Sequence, residues 1–203
     1  DQADMLREVG RASTSALGMN GGPNPWQYQP TLSMLRGDDT NGITDSFLNA
    51  LTIVQSQMPN GAWGFTPQQR SGRPFGQFGD TSSGYIATKA LPVLYAARMT
   101  GNASLVESGL KALEFLDQLE LRPEGAQTWE LQLHVPDLLG AAWVSQAYVE
   151  GYLLTGNTQY LETAQRWAIA GLPFIYLWNP PDRDVMRYTT IPVFGASNYN
   201  YPW

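Results

Sequence analysis

The pattern of apolar positions along the chain predicts six helices. The predicted spans are 3–17, 45–57, 81–99, 104–120, 137–154 and 158–172. In most of them the apolar residues recur at spacings of three and four, which is typical of a helix that buries one face. The spans 81–99 and 137–154 are apolar on almost all sides, so we expect other helices to surround them. Pro92 predicts a kink in the first of these two rather than its end.

A repeated Thr-Gly-Asn turn marks an internal repeat of 55 residues, at 100–102 and at 155–157. Each copy follows a nearly all-apolar helix that begins close to an aspartate and precedes an amphipathic helix. One such hairpin cannot bury its own apolar faces, so hairpins must stack or close with their neighbours. The all-round apolar helices favour a closed ring over a superhelical stack. The predicted fold class is therefore all-α, built from helical hairpins of an (α/α) toroid.

Two stretches of the chain resemble a known superfamily. They are QTWELQLHVPDLLGAAWVSQAYVEGYLLTGN (127–157) and GLPFIYLWNPPDRDVMRYTTIPVFGAS (171–197). Together with the helix pattern, they resemble a bacterial branch of the six-hairpin (α/α) toroid superfamily of glycosidases and polysaccharide lyases. The resemblance implies a carbohydrate substrate, and it transfers no catalytic motif. A second stretch, QSQMPNGAWGF, is similar to the Gln-Trp repeats of triterpene cyclases through Gln55, Gly61 and Trp63.

The chain length predicts an incomplete ring. A ring of six hairpins at this spacing needs roughly 300 residues or more, whereas 203 residues supply about three hairpins. We expect residues 1–203 to be a single toroid domain or a fragment of one. A missing segment or a further chain would then complete the ring.

The predicted topology places the long loops at one end. The Thr-Gly-Asn turns are short, while loops 58–79, 121–136 and 173–203 are rich in Gly, Pro and aromatic residues and lead towards the starts of the inner helices. Long loops on a rigid scaffold are where binding residues concentrate. The positive ends of several helix dipoles also meet there, which favours anionic or hydroxyl-rich ligands. We call this end the mouth.

Carboxylates at the mouth suggest a glycoside hydrolase. Hydrolysis of a glycosidic bond needs two carboxyl groups, one as acid and one as base or nucleophile. Glu130 has no capping role by position and lies beside Trp129. It is predicted to act with Asp80 or Asp137, although both aspartates are also suited to be plain N-caps of inner helices.

A polysaccharide lyase is the alternative enzyme. His134 is the only histidine, and uronate lyases of toroid folds pair a histidine with a tyrosine, here Tyr188, to remove the proton α to a carboxylate. Arginines in the mouth loops, Arg73 and Arg187 among them, would neutralise that carboxylate. A third possibility is a non-catalytic helical scaffold that binds a glycan or a protein.

Aromatic residues make up 12% of the chain, with seven Trp and ten Tyr. They either fill gaps between helices or form platforms on which sugar rings stack. The predicted platforms are those in loops: Trp63, Phe65, Trp129, Trp178 and Tyr188. Trp143 and Trp167 fall inside helices and are expected in the core.

Charge and composition exclude several other functions. The net charge of −6 and the presence of only two lysines make nucleic acid an unlikely ligand. The absence of cysteine excludes disulfides and thiolate chemistry. No nucleotide-binding glycine motif, metal site or cofactor is predicted, and no apolar run is long enough to span a membrane. The first residues, DQADMLREVG, lack a signal pattern, and a periplasmic or extracellular location stays open.

Overall fold

The computed structural model of the chain describes residues 40–66, 77–126 and 133–172. These ranges contain five helices and no strand, which confirms the all-α prediction for this part of the chain. The helices are α1 (Thr40–Val54), α2 (Ser83–Thr100), α3 (Ala103–Leu116), α4 (Leu138–Thr155) and α5 (Gln159–Gly171). The predicted helix 3–17 lies outside the described residues.

The predicted helix boundaries hold best for α2, α4 and α5. Helix α1 begins at Thr40, five residues before Asp45. Asp45 is therefore an exposed residue of the second turn and not the N-cap. Helix α3 ends at Leu116 rather than at 120, since the amides of Gln118 and Leu119 bond to carbonyls three residues back and form a tight turn. None of the described helices is both long and apolar enough to cross a membrane.

Helices α2 and α4 are parallel neighbours. Near their starts both are bound to the segment 122–126. Further along, Gln146 bonds to the hydroxyl of Tyr95, and Arg98 Nε lies 2.7 Å from Glu150 Oε2. These pairs keep a nearly constant offset of 51 and 52 residues from α2 to α4. The constant offset means that the two helices run in the same direction, from the mouth to the Thr-Gly-Asn turns.

The other three helices flank this parallel pair. Helices α1 and α3 pack on α2, α3 also reaches the edge of α4, and α5 packs on α4. Tyr148 of α4 donates across to α3, with its Oη 2.8 Å from Asp117 Oδ1 and 3.1 Å from Leu113 O. As predicted for an almost entirely apolar helix, α2 is buried along most of its length, and it continues through Pro92.

The 55-residue repeat is visible in the backbone and in its hydrogen bonds. Helices α2 and α4 are each 18 residues long, and each is followed by a left-handed glycine, Gly101 (φ 64°) or Gly156 (φ 74°). The last threonine of each helix, Thr100 or Thr155, bonds to the carbonyl four residues back, at 2.6 and 2.7 Å. The two hairpins are therefore built by the same local geometry.

Candidate functional site

The two ends of the loop between α3 and α4 are paired with each other at the mouth. Glu124 and Pro136 form an isolated antiparallel bridge, and Gly125 N donates to Val135 O at 3.1 Å. Asp137 N donates to Pro123 O at 2.9 Å. Residues 127–132, between these paired ends, lie outside the described residues. The pairing brings the two ends of the loop together at the starts of α2 and α4.

Two buried serines attach this loop to α2. Ser82 is the N-cap of α2, where its Oγ accepts from Tyr85 N at 3.1 Å and donates to Gly125 O at 3.2 Å. Ser83 Oγ donates to Arg122 O at 2.7 Å. A serine cap satisfies an amide that the helix leaves unpaired. These two hydroxyls also fix the loop, so helix capping and loop position depend on the same residues.

The close approach of the loop to α2 requires glycine at two positions. A Cβ on Gly84 would lie 2.5 Å from the carbonyl oxygen of Glu124 and 2.6 Å from Ala126 N. Gly125 has a φ of +57°, and a Cβ there would lie 2.5 Å from Oγ of Ser82, the N-cap of α2, and would also collide with the carbonyl oxygen of Leu133 across the loop. Any side chain at either position would push the loop away from the helix.

Asp137 caps α4 and is buried. One carboxylate oxygen accepts from Leu139 N at 2.9 Å, and the other accepts from Ala126 N at 2.9 Å. The residue is only 2% exposed. The structure therefore gives Asp137 the capping role that was the alternative to catalysis. In this arrangement its carboxylate does not face the solvent from which a substrate would approach.

His134 and Glu124 form the one described pair at the mouth with features suited to proton transfer. His134 Nδ1 lies 3.2 Å from Glu124 Oε1. The Glu124 side chain is 12% exposed, whereas that of His134 is 54% exposed. The backbone of Glu124 is itself fixed to α2, since its carbonyl accepts from Gly84 N at 2.9 Å. In the tautomer protonated at Nδ1, the ring donates to this carboxylate and Nε2 is left as the basic atom.

Asp80 does not open α2. The N-cap is Ser82, and Asp80 lies two residues before it, where its Oδ2 accepts from Gln77 N at 3.1 Å. Its backbone carbonyl accepts from Phe65 N at 2.7 Å, which closes the base of the loop 66–79. The prediction that Asp80 starts the helix is wrong because the serine two residues later is better placed to accept from the first-turn amide.

Trp63 lies in the core, contrary to the expectation of an accessible ring. It is 2% exposed, and its Nε1 donates to Ile53 O of α1 at 2.9 Å. The small neighbours that suggested accessibility serve another purpose, since a Cβ on Gly61 would collide with the backbone carbonyl of Lys111 in α3. As placed, the indole joins the end of α1 to the core and offers no face to a sugar.

In the same segment the glutamine that makes the buried contacts is Gln57 and not Gln55. Gln57 Nε2 donates to the carbonyls of Gly61 and Ser108, at 2.9 and 3.0 Å, and its Oε1 accepts from Ser108 Oγ at 2.7 Å. Gln55 is exposed. Gln57 therefore connects the turn that follows α1 to helix α3.

Six predicted site residues lie outside the described residues. They are Glu130, Trp129, Trp178, Tyr188, Arg73 and Arg187. Of the five that are described, Asp137 and His134 flank the closed base of the α3–α4 loop, while Asp80, Trp63 and Phe65 belong to the neighbouring loop before α2, where Phe65 is buried like Trp63.

Glu124 was missed by reasoning from the sequence. It lies ten residues from His134 in a segment without helical or strand periodicity, so no pattern of spacing relates the two side chains. A usable signal was the single histidine within a loop that also carries a Pro-Glu-Gly turn at 123–125. Turn chemistry of that kind indicates where a chain reverses and brings its ends together.

The described residues contain no group of three histidine and carboxylate side chains arranged to hold a metal ion. Comparisons of the chain with protein-family models, with curated proteins and with solved structures give no match.

Proposed function

We propose that the protein is a carbohydrate-active enzyme whose site lies at the mouth, and that it cleaves acidic polysaccharides by β-elimination. The observation that carries the proposal is the His134–Glu124 pair, in which a largely buried carboxylate holds the Nδ1 side of a half-exposed imidazole. A carboxylate in this position selects the tautomer and orients the ring for proton transfer. The His134–Glu124 pair favours the lyase over the hydrolase, because the carboxylates of Asp80 and Asp137 already accept hydrogen bonds from backbone amides of a loop and of a helix start.

The reaction needs a base beside the sugar carboxylate. His134 Nε2 removes the proton α to the carboxylate of a uronate residue, and the electron pair forms a double bond as the glycosidic C–O bond breaks. Glu124 stabilises the imidazolium that forms. An acid must return a proton to the leaving oxygen, and Tyr188 is the candidate for that role. Arg73 and Arg187 are the candidates for neutralising the uronate carboxylate.

The test is an assay for unsaturated uronate, which absorbs in the ultraviolet, on polygalacturonate, alginate and hyaluronan. We expect His134→Ala to lower kcat about 100-fold or more, because general base catalysis contributes on that order. Glu124→Gln should lower it about tenfold or more, and Glu124→Asp should restore part of the loss. Folding of each variant is checked by its melting temperature.

Glu120→Gln is the matched control, since Glu120 is an exposed carboxylate at the start of the same segment. It should leave kcat unchanged. Cleavage that survives His134→Ala would refute the proposed base. The absence of any cleavage product from the three polymers would favour the non-catalytic scaffold.

A glycoside hydrolase is the second candidate, and the closed base of the α3–α4 loop favours it. Glu130 lies midway along that loop, and Glu124 lies at its base beside Pro136. These two glutamates would be the acid and the base or nucleophile. Hydrolysis gives a new reducing end without ultraviolet absorption, so the same assay with a reducing-sugar measurement separates the two reactions. Glu130→Gln should then abolish cleavage and His134→Ala should not.

We also propose that the hairpins belong to an (α/α) toroid. The parallel α2 and α4, each followed through a Thr-Gly-Asn turn by a helix that packs on it, support a repeat that curves around a shared mouth. The large exposed apolar side chains of the described residues are concentrated on the last hairpin, at Val149, Leu153, Leu161, Ile169 and Leu172. A following hairpin of a ring would cover part of this surface.

A further inference from the structure

Lys89 is a half-buried cation without an ionic partner among the described residues. It lies in the second turn of α2, about 9 Å along the axis from the first residue of that helix. Its side chain is half-buried. No carboxylate in the described ranges forms an ion pair with its ammonium, and its one recorded interaction is with the ring of Tyr85.

The surroundings of Lys89 are aromatic and hydroxyl-bearing. Its Nζ lies 5.5 Å from the centroid of the Tyr85 ring, a distance at which the ring face attracts a cation. Tyr85 in turn packs edge-on against Phe65, with the ring centroids 5.5 Å apart.

Burial removes part of the hydration of this ammonium, and no carboxylate in the described part of the chain takes the place of the lost water. Burial lowers the pKa of Lys89 and raises the pKa of Tyr85. A lysine is seldom fully buried without an opposite charge beside it. A lysine on the mouth half of α2 that is partly desolvated and has no carboxylate partner among the described residues has the properties of a group that binds an anionic ligand.

We propose that Lys89, on the ring of Tyr85, binds a carboxylate of an acidic sugar in the substrate. The inference rests on the proposed function, because it names the substrate group that enters beside α2. The ammonium supplies the charge, and the aromatic ring supports it and offers an apolar surface to the sugar. Lys89 is then a binding residue, distinct from the His134–Glu124 pair.

The chain offers an internal control, because its only other lysine is Lys111. Lys111 lies on α3 and belongs to a different helix from the proposed subsite. Reductive dimethylation with ¹³C-formaldehyde would label the two lysines and the terminal amine, so NMR would show three signals. Lys89→Arg and Lys111→Arg assign the two lysine signals.

The probes are oligosaccharides of galacturonate, alginate and hyaluronan, with carboxyl-reduced galacturonate oligomers as the neutral control. We expect an acidic oligomer to shift the Lys89 signal and to raise its titration midpoint, because a bound anion stabilises the ammonium form. The Lys111 signal should not move, and the neutral oligomers should leave both unchanged. If no acidic oligomer shifts Lys89, or if the neutral oligomer shifts it equally, the inference is wrong.

Kinetics on the polymer that is cleaved provide the second measurement. Lys89→Met should raise KM about tenfold or more while kcat changes little, since loss of a charge-assisted contact removes binding in the ground state and transition state alike. Lys89→Arg should retain most of the affinity, and Lys111→Met should have no effect. An unchanged KM for Lys89→Met would overturn the inference while leaving β-elimination intact. A Lys89 shift without any cleavage would support the subsite and refute the elimination.

Discussion

At the scale of single residues, Gly125 is the position at which the mouth tolerates change least. Its left-handed φ of +57° is unfavourable for any side chain, and a Cβ would also collide with the carbonyl of Leu133. We expect Gly125→Ala to lower the free energy of unfolding by about 3 kcal/mol, from backbone strain plus the displaced loop. Chemical denaturation measures this loss, and the polysaccharide assay should show that cleavage is lost with it.

Gly101 is the matched control for Gly125. It has a similar φ of +64°, but a Cβ there would meet nothing within 4 Å. Gly101→Ala should therefore cost only the left-handed strain, about 1 kcal/mol, and should leave activity intact. Equal losses from the two substitutions would mean that the close contacts of Gly125 with Leu133 and Ser82 do not hold the mouth together.

Residue-level inference from the sequence succeeds where the interaction is local. Asp137 is predicted as an N-cap because a cap bonds to an amide two residues on, and the structure confirms it. The pair of Glu124 and His134 depends on a loop that closes through long-range contacts, so no local pattern reveals it. Trp63 fails for the same reason, since the carbonyl of Ile53 to which it donates belongs to the preceding helix.

At the scale of elements, the repeat makes Leu94 and Val149 equivalent positions 55 residues apart on α2 and α4. Leu94 is fully buried, whereas Val149 is 37% exposed. We expect Leu94→Ala to cost about 3 kcal/mol, since it removes buried methyl groups and leaves a cavity beside Gly109 of α3. Val149→Ala should cost less than about 1 kcal/mol. The comparison uses urea denaturation of both variants.

A large cost for Val149→Ala would show that this face of α4 is covered in solution, as a following hairpin of a ring would require.

The elements themselves were largely predictable, because an apolar helix between a cap and a Thr-Gly-Asn turn is specified by nearby residues. Which helices pack together was predictable only in part. The repeat indicates that α2 and α4 are alike, while their parallel contact depends on Tyr95 with Gln146 and Arg98 with Glu150.

At the scale of the whole molecule, two buried tyrosines connect α4 to the rest of the bundle. Tyr95 of α2 meets Gln146 of α4, and burial, followed by the nearby Glu150 carboxylate, raises the pKa of Tyr95 to about 12. Tyr148 of α4 meets α3, and burial, together with its hydrogen bond to Asp117, raises the pKa of Tyr148 as well. Ionisation of either hydroxyl would therefore act on several helices at once.

Alkaline pH should consequently destabilise the folded state cooperatively. Above about pH 10 the tyrosines ionise in the unfolded chain but stay protonated in the folded one, so unfolding releases protons and becomes more favourable as the pH rises. We expect the free energy of unfolding, measured with urea between pH 8 and pH 12 at about half-unit steps, to fall steeply above pH 10. Tyr95→Phe and Tyr148→Phe should each make that fall shallower, although loss of its hydrogen bonds should make Tyr148→Phe about 1 kcal/mol less stable at pH 8. A double variant with the same pH slope as the unmodified chain would show that neither hydroxyl is buried in the folded protein, and the contacts that join α4 to α2 and α3 would then have to be different.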